Sequence, residues 1–359
     1  MKMKKILAMA VMGILALGFS SCENGDAEFP DYEGGVSVYF AHQFLDRTVV
    51  LGDAETLNTT DDNNHIIHIV STMGGARNGK NITLKVAVDE SLCDNLFFED
   101  GVTPVKPMPT NYYTLDGNTI NYNGEMLGRL KVKLEDAFFA DPECIKGSYV
   151  IPVRIMEQVG ADSILSSGKP LVDGTTPAKT DVEAWRKIPQ DYVLYKVKYM
   201  NPWEGFYLRR GTDKITENGQ TKEETRQGAS IEKDEVCQIT TKSLTEALFP
   251  VSVSKVEGKN EDGSDKIVKY TCNLKLTFDN DGNVTVSSDT EGMTATGSGK
   301  FEKKAAKLAW GNKDRDLLTL NYKVDFGCGI TMETSDQFVA QTRGNINGVV
   351  TFNTKYVQQ

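Results

Sequence analysis

Apolar and polar residues alternate with a period of two along most of this chain, and helical periodicity is scarce. Ile82–Val88 and Gly128–Leu134 alternate in this way, so each predicts a strand with one buried and one solvated face. Ser148–Ile155 is nearly continuous in apolar residues but carries Pro152, which cannot donate to a ladder. That strand is expected at a sheet edge, or bent at the proline. Tyr192–Tyr199 alternates again and reads as the last strand of a first domain. In the second half the pattern sharpens: Val268, Tyr270, Cys272, Leu274, Leu276 and Phe278 mark one face, and Leu318, Leu320, Tyr322, Val324 and Phe326 another. Strands of about 11 residues with a single apolar face suit a strongly bent sheet that closes on itself.

Turn chemistry separates these runs. Asp279-Asn280-Asp281-Gly282 and Glu261–Asp265 each stand between two strand patterns and predict hairpins. Leu134–Phe139, Asp181–Trp185 and Ser243–Leu248 have room for short helical turns. Ala161–Pro189, rich in Gly, Ser, Thr and Pro, reads as a long loop of the first domain, and Asn201-Pro202 as the boundary to the second.

The N-terminus follows a different logic. Lys2, Lys4 and Lys5 precede an apolar run from Ile6 to Phe19, then Ser20-Ser21 and Cys22. A basic head, a short apolar core and small residues at a cut site make a secretory signal, too short to span a bilayer permanently. A cysteine at the cut makes it a bacterial lipoprotein signal: Cys22 is acylated and becomes the mature N-terminus. Phe19 stands where leucine is usual. Residues 1–21 are thus expected to be removed and 22–32 to form a polar tether.

Charge narrows the partners. The 40 basic residues are outnumbered by 50 acidic ones, and cleavage of the signal removes only lysines. No Lys/Arg stripe is present, which argues against nucleic acid and against electrostatic attachment to anionic lipid. Membrane association is left to the lipid on Cys22. The other five cysteines, Cys93, Cys144, Cys237, Cys272 and Cys328, show no metal-ligand spacing and read as small buried residues, their pairing left open. His65 and His68 lie three apart in a strand pattern and should face opposite ways, so no metal site is expected.

Several pieces of the first half, in order and spacing, resemble one family. They are Val36–Phe40, Val86–Leu92, Met108-Pro109-Thr110-Asn111-Tyr112-Tyr113, Ile120 with Asn123-Gly124-Glu125, and Gly147–Ile155. Together they are similar to the immunoglobulin-like N-terminal domain of Bacteroidetes surface lipoproteins, with Met108 where that family has leucine. Some members of the family carry an endo-β-N-acetylglucosaminidase behind this domain. The second half, with Val197–Gly211 at its head and Asp316–Tyr322 later, looks like a small C-terminal domain that accompanies it and resembles lipocalin-type barrels. The resemblance implies a surface protein of a polysaccharide-utilisation system and names no ligand.

Catalytic patterns are missing from the sequence. The Asp-x-x-Asp-x-Asp-x-Glu strand of related glycosidases, the Gly-x-Ser-x-Gly elbow, the Walker loop and His-Glu-x-x-His are all absent. The stretch after Pro202 is too short for a (β/α)8 barrel. Asp279, Asp281 and Asn283 alternate as in a calcium loop, but Val284 stands where glycine is needed and Thr290 where a bidentate Glu belongs. Carbohydrate binding needs flat aromatic faces beside polar groups. The candidates are Trp310 and Trp185 in polar, turn-like surroundings, and Trp203 and Tyr207 at the head of the second domain, where Trp203 is expected to plug a barrel base.

These readings converge on an all-β chain: an immunoglobulin-like β-sandwich over 33–200, then an approximately eight-stranded antiparallel β-barrel, lipocalin-like, over 201–359. The expected function is non-catalytic glycan binding at the cell surface, without cofactor. The chain would be lipid-anchored in the outer membrane and face the cell exterior, with an oligosaccharide or polysaccharide as its ligand and an outer-membrane glycan importer as its partner. Alternatives are an adhesive protein–protein module, a barrel enclosing a small apolar ligand lined by Val268, Leu274 and Leu320, or a glycosidase accessory.

Overall fold

The computed structural model describes residues 35–75, 81–344 and 346–358. The expected lipoprotein signal over 1–21, with Cys22 and the expected tether over 22–32, lies outside the described residues.

The N-terminal half is built from β1 (Ser37–Tyr39), β2 (Phe44–Val50), β3 (Ile66–Gly74), β4 (Thr83–Val88), β5 (Leu127–Leu134), β6 (Tyr149–Val159) and β7 (Tyr192–Met200). One face runs β1–β3–β5 and the other β4–β6–β7–β2. The short strand Thr119–Asn121 pairs with β4 and, through Asn121 opposite Arg129, with β5, so the two faces form one curled sheet. Alternation does the folding: in β5, Leu130, Val132 and Leu134 are buried while Arg129, Lys131 and Lys133 face water. They close on Ile67, Ile69, Leu84, Val86 and Val153 in one core.

Strand β7 breaks the alternation because it is covered on both faces. Val193, Tyr195 and Val197 enter the main core, whereas Tyr192 and Leu194 pack with Leu92, Leu96, Val105 and Val150 in a second cluster. The β6 strand departs from the expectation for Pro152: it lies inside the sheet, between β4 and β7, and its bulge falls between Ile155 and Glu157. The proline is tolerated because β4 ends at Val88, opposite Val153. Pro152 therefore faces the chain just past β4, and its carbonyl accepts from Asp89 N at 2.9 Å.

The C-terminal half contains β8 (Gly205–Glu217), β9 (Gln220–Arg226), β10 (Glu235–Thr241), β11 (Glu246–Lys259), β12 (Asp265–Phe278), β13 (Asn283–Ser288), β14 (Thr294–Ala306), β15 (Arg315–Asp325) and β16 (Ile330–Thr342). Strands β8 and β10 to β16 pair in succession, all antiparallel, and β16 returns to β8, closing an eight-stranded barrel. The near half of β8 pairs with β10 and the far half with β9. Asp279–Asn283 is the hairpin turn: Asp279 Oδ1 accepts from the backbone of Asp281 and Asn283. Leu274 and Leu320 are fully buried in a continuous lumenal cluster with Phe249, Phe338 and Tyr322, while Val268 lies outside that cluster, opposite Lys255 near the turn of its hairpin.

The last residues do not belong to the barrel, which corrects the 201–359 boundary. After Gly344 the chain crosses back to the sandwich, where β17 (Val349–Thr351) pairs with β2, and Thr354–Tyr356 pairs with Leu96–Phe98. Phe352 sits edge-on to Phe44 at 5.7 Å and beside Phe98 at 5.8 Å, with Lys196 Nζ 5.1 Å above its ring. Burial of these rings, rather than barrel pairing, determines where the tail goes.

Candidate functional site

The tryptophans singled out from the sequence do not converge. Trp185 stands in the sandwich loop, half-buried, its indole N–H donating to Ala178 O at 2.8 Å. Trp203 stacks on Phe278 with centroids 3.9 Å apart and planes 9° from parallel, closing one end of the barrel. Tyr207 is 4% exposed and its hydroxyl donates to Trp203 O, so its ring is committed to the core. Trp310 is half-exposed and carries the Arg315 guanidinium 4.8 Å from its centroid.

Arg315 links Trp310 to a cleft of about 390 Å³ between the domains. The sandwich contributes the loop Asp53–Thr56, and the barrel contributes the start of β8, the turn around Lys303 and Lys304, Asp314–Asp316 and the end of β16. Phe206 lines it, half-buried, next to Tyr207. Strand alternation explains this pair: Tyr207 points into the lumen, so Phe206 must point out.

The cleft is also where the domains are joined. Arg343 donates to Leu51 O at 3.0 Å, Asp53 O at 3.2 Å and Asn201 O at 2.7 Å. Burial holds the Arg343 pKa below the usual guanidinium value. Asn201, fully buried, donates through its side chain to Ser243 O and Glu246 O and accepts from the backbone of Trp203 and Glu204. Glu55 pairs with Arg315 at 2.9 Å and Asp53 with Lys303 at 2.9 Å. The hydrogen bond from Lys303, followed by its charge, lowers the Asp53 carboxyl.

A second polar constellation lies inside the barrel wall. The Asp336 carboxylate, 0% exposed, accepts from Arg209 Nε at 3.0 Å and Nη2 at 2.8 Å, from Tyr322 Oη at 2.9 Å and from Arg226 Nη2 at 2.6 Å. Arg226 also holds Asp213, which accepts from Thr334 Oγ1. Burial would raise the Asp213 carboxyl, but hydrogen bonds from Arg226 and Thr334 and the charges of Arg226 and Arg209 bring it below its ordinary value. Gly211 makes the space: a Cβ there would clash with Asp336 Oδ1 and Ser335 O, far inside van der Waals contact. With both carboxylates saturated by guanidinium, this network has the character of a structural element.

All five described cysteines are free. Burial pushes the Cys93, Cys144 and Cys237 thiols up to about 12. His65 packs on Phe139 and His68 faces Asp61, and no group of three metal-ligating side chains occurs among the described residues.

Sequence reasoning missed Phe206, Arg315 and Arg343. The first was readable from alternation beside Tyr207, and Arg315 lies five residues from Trp310. Nothing local marks Asp53 and Glu55, which reach the cleft only through the docking of the domains.

Comparisons with known proteins follow the same division. A family model for an N-terminal domain matches residues 31–162, and that of the domain of unknown function DUF5627 matches residues 202–344, ending where the chain leaves the barrel. No protein curated for function matches the chain. A candidate carbohydrate-binding protein of Bacteroides ovatus aligns over 88% of this chain and 98% of that one, with 11% identity and a TM-score of 0.26, which establishes no shared fold. A crystal structure of a Bacteroides ovatus protein of unknown function is 40% identical, with a TM-score of 0.81 over 91% of this chain and 100% of that one. At that identity and coverage the chain belongs to the family of this Bacteroides ovatus protein, with DUF5627 as its C-terminal barrel.

Proposed function

We propose that this protein is a non-catalytic, lipid-anchored glycan-binding protein of a polysaccharide-utilisation system, and that the interdomain cleft receives the oligosaccharide. One observation carries the reading: the cleft sets the Phe206 ring, with Trp310 behind Arg315 at its margin, among carboxylates, guanidinium groups and the Gln341 amide. A pyranose presents CH groups on its faces and hydroxyls around its edge, and this combination of surfaces suits both. Asp53 is no candidate for a glycosidic general acid, because the hydrogen bond and charge of Lys303 lower its carboxyl where such an acid needs a raised one. The address rests on the signal before Cys22 and on Glu23, Asp26 and Glu28 after it, similar to the export signal of Bacteroidetes surface lipoproteins. It puts the protein on the outer face of the outer membrane, beside a glycan importer.

Affinity gels cast with plant and host polysaccharides test the binding. Retardation of the wild type, weakened about tenfold in Kd by Phe206→Ala or Trp310→Ala, is the expected result. Absence of retardation by every polysaccharide would overturn the reading. Radiolabelled palmitate incorporation, abolished by Cys22→Ala, tests the anchor.

A second reading, a module that pairs with another protein, draws on the outer edge of β17. There Val349 and Val350 are exposed on the last strand of the curled sheet. Crosslinking in cells, lost on replacing both valines with lysine, is its expected sign.

A further inference from the structure

We infer that the cleft selects uncharged oligosaccharides and rejects acidic ones; the inference rests on the reading of the cleft as a glycan site. An acidic sugar needs a guanidinium or ammonium free to pair with its carboxylate or sulfate, preferably through a bidentate arrangement. The two arginines of the cleft are not free. Arg343 is spent on three backbone carbonyls that join the domains, at 2.7 to 3.2 Å. Arg315, whose side chain is only 9% exposed, pairs with Glu55, donates through Nε to Trp310 O at 3.0 Å and lies over the indole. Lys303 is paired with Asp53, and the Lys304 side chain is exposed to solvent, where a single ammonium contributes little.

The acceptors tell the complementary story. Five carboxylates line the cleft against four cations, and they sit on a chain with a formal charge of −10. The local and global fields therefore both repel an anion. Asp316 accepts the Lys304 backbone N–H through Oδ1 at 2.8 Å, and a carboxylate with one such bond keeps lone pairs for sugar hydroxyls. Gln341 adds an amide that both donates and accepts. A ligand rich in O–H donors and without negative charge satisfies this site; a uronate or sulfate would have to displace Glu55 from Arg315 first.

Affinity gels with neutral polysaccharides (galactomannan, xyloglucan, a β-1,3-glucan) and acidic ones (polygalacturonate, chondroitin sulfate) decide the matter. The wild type and the Phe206→Ala, Asp316→Asn and Glu55→Gln variants are compared, with folding checked by circular dichroism. Retardation by at least one neutral polysaccharide and by neither acidic one is expected. Phe206→Ala and Asp316→Asn should each weaken neutral binding about tenfold. Glu55→Gln, at an exposed position, releases Arg315 and should create measurable retardation by polygalacturonate. Wild-type retardation by an acidic polysaccharide, lost in Phe206→Ala, would overturn the selectivity while leaving glycan binding standing. Retardation by nothing at all, or binding indifferent to Phe206→Ala, would overturn the glycan cleft and this inference with it.

Discussion

Replacing Asp336 with alanine should unfold the barrel at markedly lower denaturant, and the size of the effect follows from what the carboxylate holds. Its side chain is wholly buried and receives two bonds from Arg209, one from Arg226 and one from Tyr322. Without it, Arg226 keeps Asp213, but the charge of Arg209 retains only the half-exposed Glu235 at 3.5 Å, beside the Tyr322 hydroxyl at 3.0 Å and the faces of Phe249 and Phe338. The cation–π contacts exist before and after substitution, so they offset none of the loss. Breaking a buried pair from one side costs about 3–5 kcal/mol, because the remaining charge has been taken out of water. The Tyr322 hydroxyl still accepts from Arg209 Nη2 but loses the acceptor for its own proton, which adds about 1 kcal/mol. Asp336→Asn keeps the shape and should cost about half as much, since it removes the charge but not every hydrogen bond.

Urea unfolding measures this when the signal belongs to the barrel. Of the three tryptophans, Trp203 stacks on Phe278 within it, so a Trp185→Phe, Trp310→Phe background reports barrel unfolding through Trp203 fluorescence. The same argument predicts that Arg209→Met with Asp336→Leu recovers most of the stability lost by either single change, because the charges that remain in the wall, Arg226 and Asp213, are paired with each other. A loss below about 1 kcal/mol for Asp336→Ala, or additive losses in the double variant, would refute the account of a mutually dependent buried network.

Four further outcomes follow from the same contacts. Gly211→Ala should destabilise the barrel by about 1–3 kcal/mol in the same assay, because its Cβ displaces Asp336 or the β16 backbone. Asp213 has a lower pKa folded than its ordinary 3.8, so its contribution to stability is complete above about pH 4 and is lost as the pH falls through the lower native value. Acid unfolding followed by circular dichroism should therefore be shallower in Asp213→Asn below pH 4. Ending the chain at Gly344 removes the strand on β2 and uncovers Phe44 and Phe98; light scattering should show self-association, while Phe352→Ala alone should lower stability by about 1–3 kcal/mol. Iodoacetamide at pH 8 should leave Cys93, Cys144 and Cys237 unlabelled in the native protein and label them in urea, since their thiols lie at about 12.

Strand alternation carried the sequence reading because it is a local property: each face of β5, β12 or β15 is fixed by residues two apart, whatever the rest of the chain does. The turn at Asp279–Asn283 was legible for the same reason, its side-chain bonds closing within four residues. Pro152 shows where locality fails. The proline rules out a donor, but whether the strand lies at an edge depends on where β4 ends, some 60 residues away in sequence. The tail is the same kind of case, since Val349–Thr351 reads as a strand anywhere and only the uncovered rings of Phe44 and Phe98 assign it to the sandwich.

The cleft lies furthest from sequence logic, because it arises from docking. Arg343 satisfies Leu51, Asp53 and Asn201 carbonyls only if the barrel is seated on the loop after β2, and Glu55 meets Arg315 only in that same seating. The residue types give no warning: Arg343 follows a strand end, and Asp53 and Glu55 sit in an acidic loop like several others. Aromatic candidates chosen by polar surroundings consequently scattered. Trp185 stayed in the sandwich loop, Trp203 turned into the barrel, Tyr207 reached the cleft wall but with its ring buried, and Trp310 came to the cleft margin through Arg315. Because the tail returns to β2 directly after Arg343 and Gly344, the residues that line the cleft are held from both domains at once. A ligand there would meet a preformed surface and lose little free energy in ordering it, the condition under which a few aromatic and hydroxyl contacts suffice for specific binding.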